Sequence, residues 1–253
     1  MPVLTLAYHD IICPGSTSES GFPGPDAATY KVPLKLFREH LQAMKRVRES
    51  SPYRILLTFD DGGCSASQEA ECLEQVGEHG YFFITADFIG KPGFLSAAQI
   101  ADLHSRGHVI GSHGATHRGK MNRLPYATLM HEWSESVKAL AAIIGARVNA
   151  ASVPSGYYSP LVAHAAARAG IRRVFTQRPT IHSTEAFGCE VCGRFTMRSW
   201  TTPSHVEALA RGRLMARLED EALWHLRQAA KAIGGSAYGD LRRAFFAGGS
   251  GVV

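Results

Sequence analysis

Two adjacent carboxylates end an apolar run in Thr58-Phe59-Asp60-Asp61-Gly62-Gly63, and two histidines four positions apart follow downstream in His113-Gly114-Ala115-Thr116-His117. Neighbouring acids repel unless something positive sits beside them. Histidines spaced i, i+4 can turn both imidazoles toward one point. One Asp with two His supplies three protein ligands and leaves a tetrahedral Zn²⁺ one open position for water. The other Asp is then free to act as a base on that water. Asp-Gly after a strand is also ordinary turn chemistry, which explains Asp61-Gly62 but not the doubled acid. Taken together, the two segments predict a metal-dependent hydrolase.

The elements that would have to position these residues recur along the chain. Strand-like runs are expected at Val3–Tyr8, Arg54–Phe59, Tyr81–Thr85, His108–Ser112, Val148–Ser152 and Ile171–Thr176, with Glu190–Met197 as a seventh. Between them Leu34, Phe37, Leu41 and Met44 mark one helical face, and Trp133, Val137, Leu140 and Ile144 another. Gly80, Gly107, Gly145 and Gly170 stand where helices should end, and Ser96 with Gln99 forms a capping box. Alternating β and α units demand a parallel sheet with right-handed crossovers. Six to seven such strands predict an α/β fold of the (β/α) barrel type, complete or with a gap.

The order of the candidate residues agrees with a barrel. His9 follows the first strand, Asp60 and Asp61 the second, His113 and His117 the fourth, and Pro154–Tyr157 the fifth. All fall at C-terminal strand ends, where barrels assemble their active sites. Residues 13–30 form a long Gly/Pro/Ser-rich loop on that face, a candidate lid. From Thr202-Pro203 onward helices are expected over Leu209 to Leu214 and Leu218 to Ile233, then a fraying Gly-rich end at Ala247–Val253. This divides the chain into a catalytic domain, 1–202, and a helical extension, 203–253, packed on it.

Composition narrows the function. At 253 residues with 45% hydrophobic and 19% charged side chains, the chain fits one large globular domain. The formal charge of +5 fits a solvated surface with surplus Arg, because the basic residues are spread; an anionic glycan substrate is the alternative reading. No Lys/Arg stripe or aromatic platform points to nucleic acid. No apolar run suits a membrane span. The first residues carry no basic n-region, and the five cysteines are odd in number. Both features lead to an expected cytoplasmic location with reduced thiols. Cys189-Glu190-Val191-Cys192 has zinc-ribbon spacing without a second pair and reads as structural thiols.

Thr58-Phe59-Asp60-Asp61-Gly62 and Gly111-Ser112-His113-Gly114-Ala115-Thr116-His117 resemble the first two motifs of the polysaccharide deacetylases, the NodB-homology or family 4 carbohydrate esterases. The resemblance covers roughly residues 1–200. It implies a NodB-type barrel, incomplete or distorted, with Asp60 as catalytic base and Asp61, His113 and His117 as metal ligands. Ser152-Val153-Pro154-Ser155-Gly156-Tyr157 is similar to the third motif in its Pro and Gly but lacks the usual arginine. That arginine steadies the base, and Arg194 or Arg198 is expected to replace it. A backbone amide at Ser155 or a neighbour would complete an oxyanion hole. No apolar Leu-His motif supplies a general acid near the C-terminus. Tyr8-His9-Asp10 instead resembles the rearranged branch similar to poly-N-acetylglucosamine de-N-acetylases, in which the acid His comes from the N-terminal strand.

The resemblance thus implies hydrolysis of N-acetyl groups on an amino-sugar-containing glycan or its precursor. His9 would protonate the departing amine, one divalent metal would be bound, and Trp200 is a further candidate sugar contact. Zn²⁺ is the expected ion, and mixed N/O ligands accept Co²⁺ or Ni²⁺ as well. Two competing readings share the residues: a metal-dependent amidohydrolase acting on a small amide or ureide, and a non-catalytic glycan-binding domain.

Overall fold

The computed structural model describes residues 1–13 and 19–233. Nine strands form one sheet: β1 Val3–Tyr8, β2 Arg54–Phe59, β3 Gly80–Ile84, β4 Val109–Ser112, β5 Ala150–Ser152, β6 Arg173–Phe175, β7 Thr184–Ala186, β8 Cys189–Cys192 and β9 Phe195–Thr196. Their order is β9-β1-β2-β3-β4-β5-β6-β8-β7, and every neighbouring pair is parallel except the β7–β8 hairpin. Helices cover the outside: α1 Leu34–Val47, α2 Ala66–Glu74, α3 Ala97–Ser105, α4 Tyr126–Ile144 and α5 Pro160–Arg168. The architecture is the expected incomplete (β/α) barrel, a curled and mostly parallel sheet.

The segment expected as one strand, Glu190–Met197, is two. Its first half pairs with β6 and its second half with β1, the two ends of the parallel run. One extended segment thus bridges both edges, bending at Gly193-Arg194 between its halves. A Cβ at Gly193 would lie 2.4 Å from the Arg178 carbonyl, so only glycine passes there. The strand β7 was not foreseen. Its turn, Phe187-Gly188, has φ of 53° and 78°, the two positive values of a tight hairpin turn.

Packing separates the lumen from the helix layer. Phe83, Ala150 and Phe175 fill the inside with Tyr81 and Cys192 against them, and the Phe83 and Phe175 rings are 5.3 Å apart. Outside, Phe37, Leu41 and Met44 of α1 pack with Leu4, Leu6 and Phe59, as their spacing predicts. On the other flank Trp133 of α4 packs with Val162 and Val174. The Ser96/Gln99 capping box opens α3, and Gly145, left-handed at φ 65°, ends α4.

Two expectations shift. The helix expected over Leu209 to Leu214 is instead α6, Pro203–Ala210, ended by Gly212 at φ 75°, and the next helix, α7, runs Leu214–Ile233. Val206, Leu209, Ala210 and Ala216 join the same core as β1 and β2. The expected fraying end, 247–253, lies outside the described residues. Of the 13–30 loop, residues 14–18 lie outside the described residues; the described part includes a helical turn at Pro25–Ala28, and the segments flanking the loop pair, Ile11–Ile12 with Val32–Pro33.

Candidate active site

Strand alternation sends Thr58 and Asp60 to the lumen side of the barrel mouth, where Arg194 meets them from the bend. Arg194 donates from Nη1 to Asp60 Oδ1 at 2.7 Å and from Nη2 to Oδ2 at 2.8 Å, a bidentate pair with no solvent exposure on either side chain. The guanidinium is further held by the Thr176 carbonyl at 3.0 Å, Thr58 Oγ1 at 3.1 Å and Ser152 Oγ at 2.7 Å. Ser152 in turn donates to Asp60 Oδ2 at 3.1 Å. A carboxylate offers about four lone-pair directions. Three are taken, leaving one on Oδ1 to receive a proton. Burial alone would raise the Asp60 pKa, but Arg194 and His113 outweigh it and bring it to about 2. The group is therefore ionised at any working pH.

Asp61 turns the other way, left-handed at φ 77°, which places its carboxylate against the histidine loop. Its Oδ1 lies 3.3 Å from Nε2 of both His113 and His117. One donor atom from each of the three residues falls within 4.8 Å of the others. Oδ1 is buried and makes no hydrogen bond among the described residues. His113 Nδ1 lies 3.0 Å from the Ser152 carbonyl, which fixes the proton there and leaves Nε2 bare toward the cluster. Burial opposes protonating His113, yet Asp60 and Asp61 override it and raise its pKa. An unsatisfied carboxylate oxygen, a bare imidazole nitrogen and a local excess of negative charge are what a divalent cation requires, so these three residues fit one. Asp61→Ala is expected to weaken Zn²⁺ binding by roughly 100-fold or more, since losing even an outer hydrogen-bond partner of a ligand costs ~10–100-fold. Elemental analysis after dialysis against a metal buffer checks it; equal metal content in both proteins would remove Asp61 from the ligand set.

Two residues that hold this arrangement escaped sequence reading. Glu132, buried on α4, accepts from the backbone N–H groups of Ala115 at 3.0 Å and Thr116 at 2.9 Å, and from Thr116 Oγ1 at 2.6 Å. It clamps the loop between the two histidines. Its signal was a polar residue on the apolar stripe, beside Trp133 and two turns before Leu140. Ser152 was visible only as the start of a motif, although it links Asp60, Arg194 and His113.

His9 is half-buried at the end of β1 with its ring stacked on Tyr30, centroids 4.7 Å apart. Its Nδ1 is buried without a hydrogen-bond partner among the described residues. A positive charge on His9 would favour ionisation of both Asp60 and Asp61, so it shares their site. Asp10 does not orient it. The Asp10 carboxylate accepts from Ser20 Oγ at 2.6 Å and from Ser65 Oγ at 3.3 Å, wedged against Gly21 and Gly63, where any Cβ would collide with it. This pins the 19–24 segment so that Phe22 packs on the His117 ring at 4.5 Å, within a cluster with Phe88 and Phe94.

Pro154–Gly156 forms a single 3₁₀ turn at the end of β5, with Ser155 and Gly156 both left-handed at φ 56° and 69°. Pro154 is buried and Tyr157 half-buried. Trp200, 46% exposed, follows β9 in a turn tied to Thr29 through the Ser199 N–H. Arg198 does not reach Asp60; of the two arginines considered, Arg194 makes that pair. Two other histidines, His182 and His205, stand away from this site. His182 lines a cavity with Met1 and Val3 at the opposite barrel end, and His205 is bonded to Asp220 at 2.9 Å. Cys189 is a buried thiol donating to the Ile171 carbonyl.

Residues 48–174, just over half of the chain, match the polysaccharide deacetylase family, and the chain belongs to that family of carbohydrate deacetylases. Solved structures agree on the fold. A polysaccharide deacetylase from Bacillus cereus is 19% identical with a TM-score of 0.66, covering 81% of this chain and 67% of its own. IcaB from Ammonifex degensii is 20% identical at 0.65, covering 83% and 97%. The de-N-acetylase from Aggregatibacter actinomycetemcomitans is 18% identical at 0.61, covering 79% and 97%. No curated protein matches the sequence. Among the described residues no helix is long and apolar enough to cross a membrane.

Proposed function

We propose that this protein is a metal-dependent hydrolase that removes N-acetyl groups from an amino-sugar-containing glycan or glycan precursor. The observation that carries the reading is the buried Asp60–Arg194 pair beside the Asp61, His113 and His117 donor cluster at one barrel mouth. When bound by those three residues, a divalent cation would polarise the acetyl carbonyl and acidify the attacking water. Asp60 takes the water's proton on the one lone pair left open at Oδ1, while Arg194 keeps the carboxylate charged and aimed. The Pro154–Gly156 turn follows Ser152, which bonds Asp60, and the Ser155 N–H is the turn's candidate donor for an oxyanion site, since the Gly156 and Tyr157 N–H groups are bonded within the turn. His9 meets the departing amine through Nε2, because its Nδ1 is buried. Tyr30 beneath the His9 ring and exposed Trp200 favour a sugar over a small amide, since flat aromatic faces suit the apolar faces of pyranose rings.

The test is acetate release from a panel of N-acetylated monosaccharides, oligosaccharides and sugar nucleotides, before and after chelation. Release from a sugar substrate, lost on chelation and restored by Zn²⁺, is expected. Release only from small non-sugar amides would shift the reading to the amidohydrolase. The part given to His9 has its own measurement. His9→Ala should lower hydrolysis of the acetamide by roughly 10²-fold, whereas an aryl acetate with an activated phenol, which leaves without protonation, should keep most of its rate. If both substrates fall equally, His9 is structural.

A further inference from the structure

Beside the reaction centre lies a small cleft between the turn after β9 and helix α7, whose walls include Tyr30, Arg194, Arg198, Asp220, Trp224 and Arg227. Arg198 is its unusual member. It is only 7% exposed, its Nε is buried with no hydrogen-bond partner, and no carboxylate of the described residues lies within ion-pair distance. A buried charge left in that state is costly unless a partner arrives. The nearby acid, Asp220, already accepts from His205. The third guanidinium, Arg194, is committed to Asp60. Arg227 adds a like charge to the same wall. Burial, with Arg227 beside it, brings the Arg198 pKa down to about 10. Tyr30 and Asp220 act the other way on its charge, but neither bonds the Arg198 Nε, so the cleft holds one buried guanidinium donor that the described residues leave unpaired.

The surroundings say what would pair with it. The turn bearing Arg198 is held rigidly: Arg198 N–H donates to Thr201 Oγ1 at 2.9 Å, and His40 Nε2 bonds the Thr201 carbonyl at 2.8 Å. A volume of about 40 Å³ is too small for a sugar ring but has room for one compact group in place of water. Tyr30, which lines the cleft, is the ring stacked on His9. A ligand with its acetamide at Asp60 and His9 would thus extend past Tyr30 toward Arg198. We propose that this cleft is an oxyanion subsite, built on Arg198 with Arg227, that receives a phosphate or carboxylate carried by the N-acetylated substrate. The proposal rests on the deacetylase reading for what the ligand is, but not for whether the cleft binds anions. It gives α7 a role in substrate choice and makes an acidic or phosphorylated amino sugar the favoured substrate.

Two measurements test it, one without turnover. Calorimetry with inorganic phosphate should show one site on the wild-type protein, weakened at least about tenfold in Arg198→Gln and less in Arg198→Lys, because charge-assisted guanidinium contacts are the strong ones. Arg198→Gln without phosphate should melt no lower than wild type, since it removes an unpaired buried charge rather than a contact. In turnover, an N-acetylhexosamine phosphate and an N-acetylhexosamine bearing a carboxylate are each compared with the neutral sugar. The ratio of kcat/KM, anionic over neutral, should fall at least about tenfold in Arg198→Gln, and the anionic sugar with the larger loss identifies the natural group. Phosphate that fails to bind, or binds wild type and Arg198→Gln alike, overturns the subsite. So does an unchanged ratio. A wild-type protein that binds phosphate through Arg198 but releases no acetate from any sugar would sink the deacetylase reading and leave the subsite standing.

Discussion

Asp60→Asn is expected to retain its metal while turnover of an N-acetyl substrate falls by ~10²–10⁴-fold, the usual cost of losing a general base. The amide has nearly the shape of the carboxylate but no lone pair able to take the water's proton. Its one oxygen can still accept from Arg194, which is also held by Thr58, Ser152 and Thr176, so the variant should fold with a lower melting temperature. The Asp61, His113 and His117 donors are untouched, and metal content should match the wild type. Metal analysis and steady-state kinetics on the same preparation decide the matter. Near-normal turnover with metal bound would mean that the roles of the two aspartates are reversed.

Why the sequence revealed one part of this site and hid another follows from how each part is built. Asp60, Asp61, His113 and His117 are close in sequence within two segments, and residue type with spacing alone points to a cation. The strands that carry them were legible because they are apolar runs ended by turn residues, and their order placed every candidate at one end of a barrel. The ion pair on Asp60 was not legible in that way. Arg194 comes from a bend 134 positions away, and only the closing segment, which leaves β6 and joins β1, brings it to the mouth. Periodicity read that segment as one strand because nothing local marks Gly193 as the point where it changes neighbours. Glu132 was hidden for a related reason. A buried acid clamping backbone N–H groups looks, in sequence, like any helical glutamate unless its place on the apolar stripe is noticed. Asp10 shows how little adjacency says: it is next to His9 in sequence but bonds Ser20 and Ser65, because alternation sends neighbouring side chains to opposite faces.

Replacing Arg194 by Met should have the largest effect on stability. The substitution keeps volume but leaves Asp60 buried with Ser152 as its remaining side-chain donor. Breaking a buried pair by removing one partner costs about 3–5 kcal/mol. The pH dependence separates this from a simple packing defect. In the wild type, burial would raise the Asp60 pKa, yet Arg194 and His113 bring it to about 2 against an ordinary 3.8. That depressed value contributes stability that is present above about pH 4 and lost only as the pH falls through about 2. Without Arg194, burial dominates and the folded-state pKa rises above the unfolded one. The sign then reverses: the variant takes up a proton on folding, and its penalty grows as pH rises through the new value. The melting-temperature gap between wild type and Arg194→Met should therefore be smaller at pH 4 than at pH 7. The acidic limb of kcat/KM should move to higher pH by the same cause, because Asp60 must lose its proton before it can act. Arg194→Met combined with Asp60→Asn should recover part of the lost stability, since no charge is then left buried. A gap that is equal at pH 4 and pH 7, with the acidic limb unmoved, would show that Arg194 serves the fold and not the charge state of Asp60.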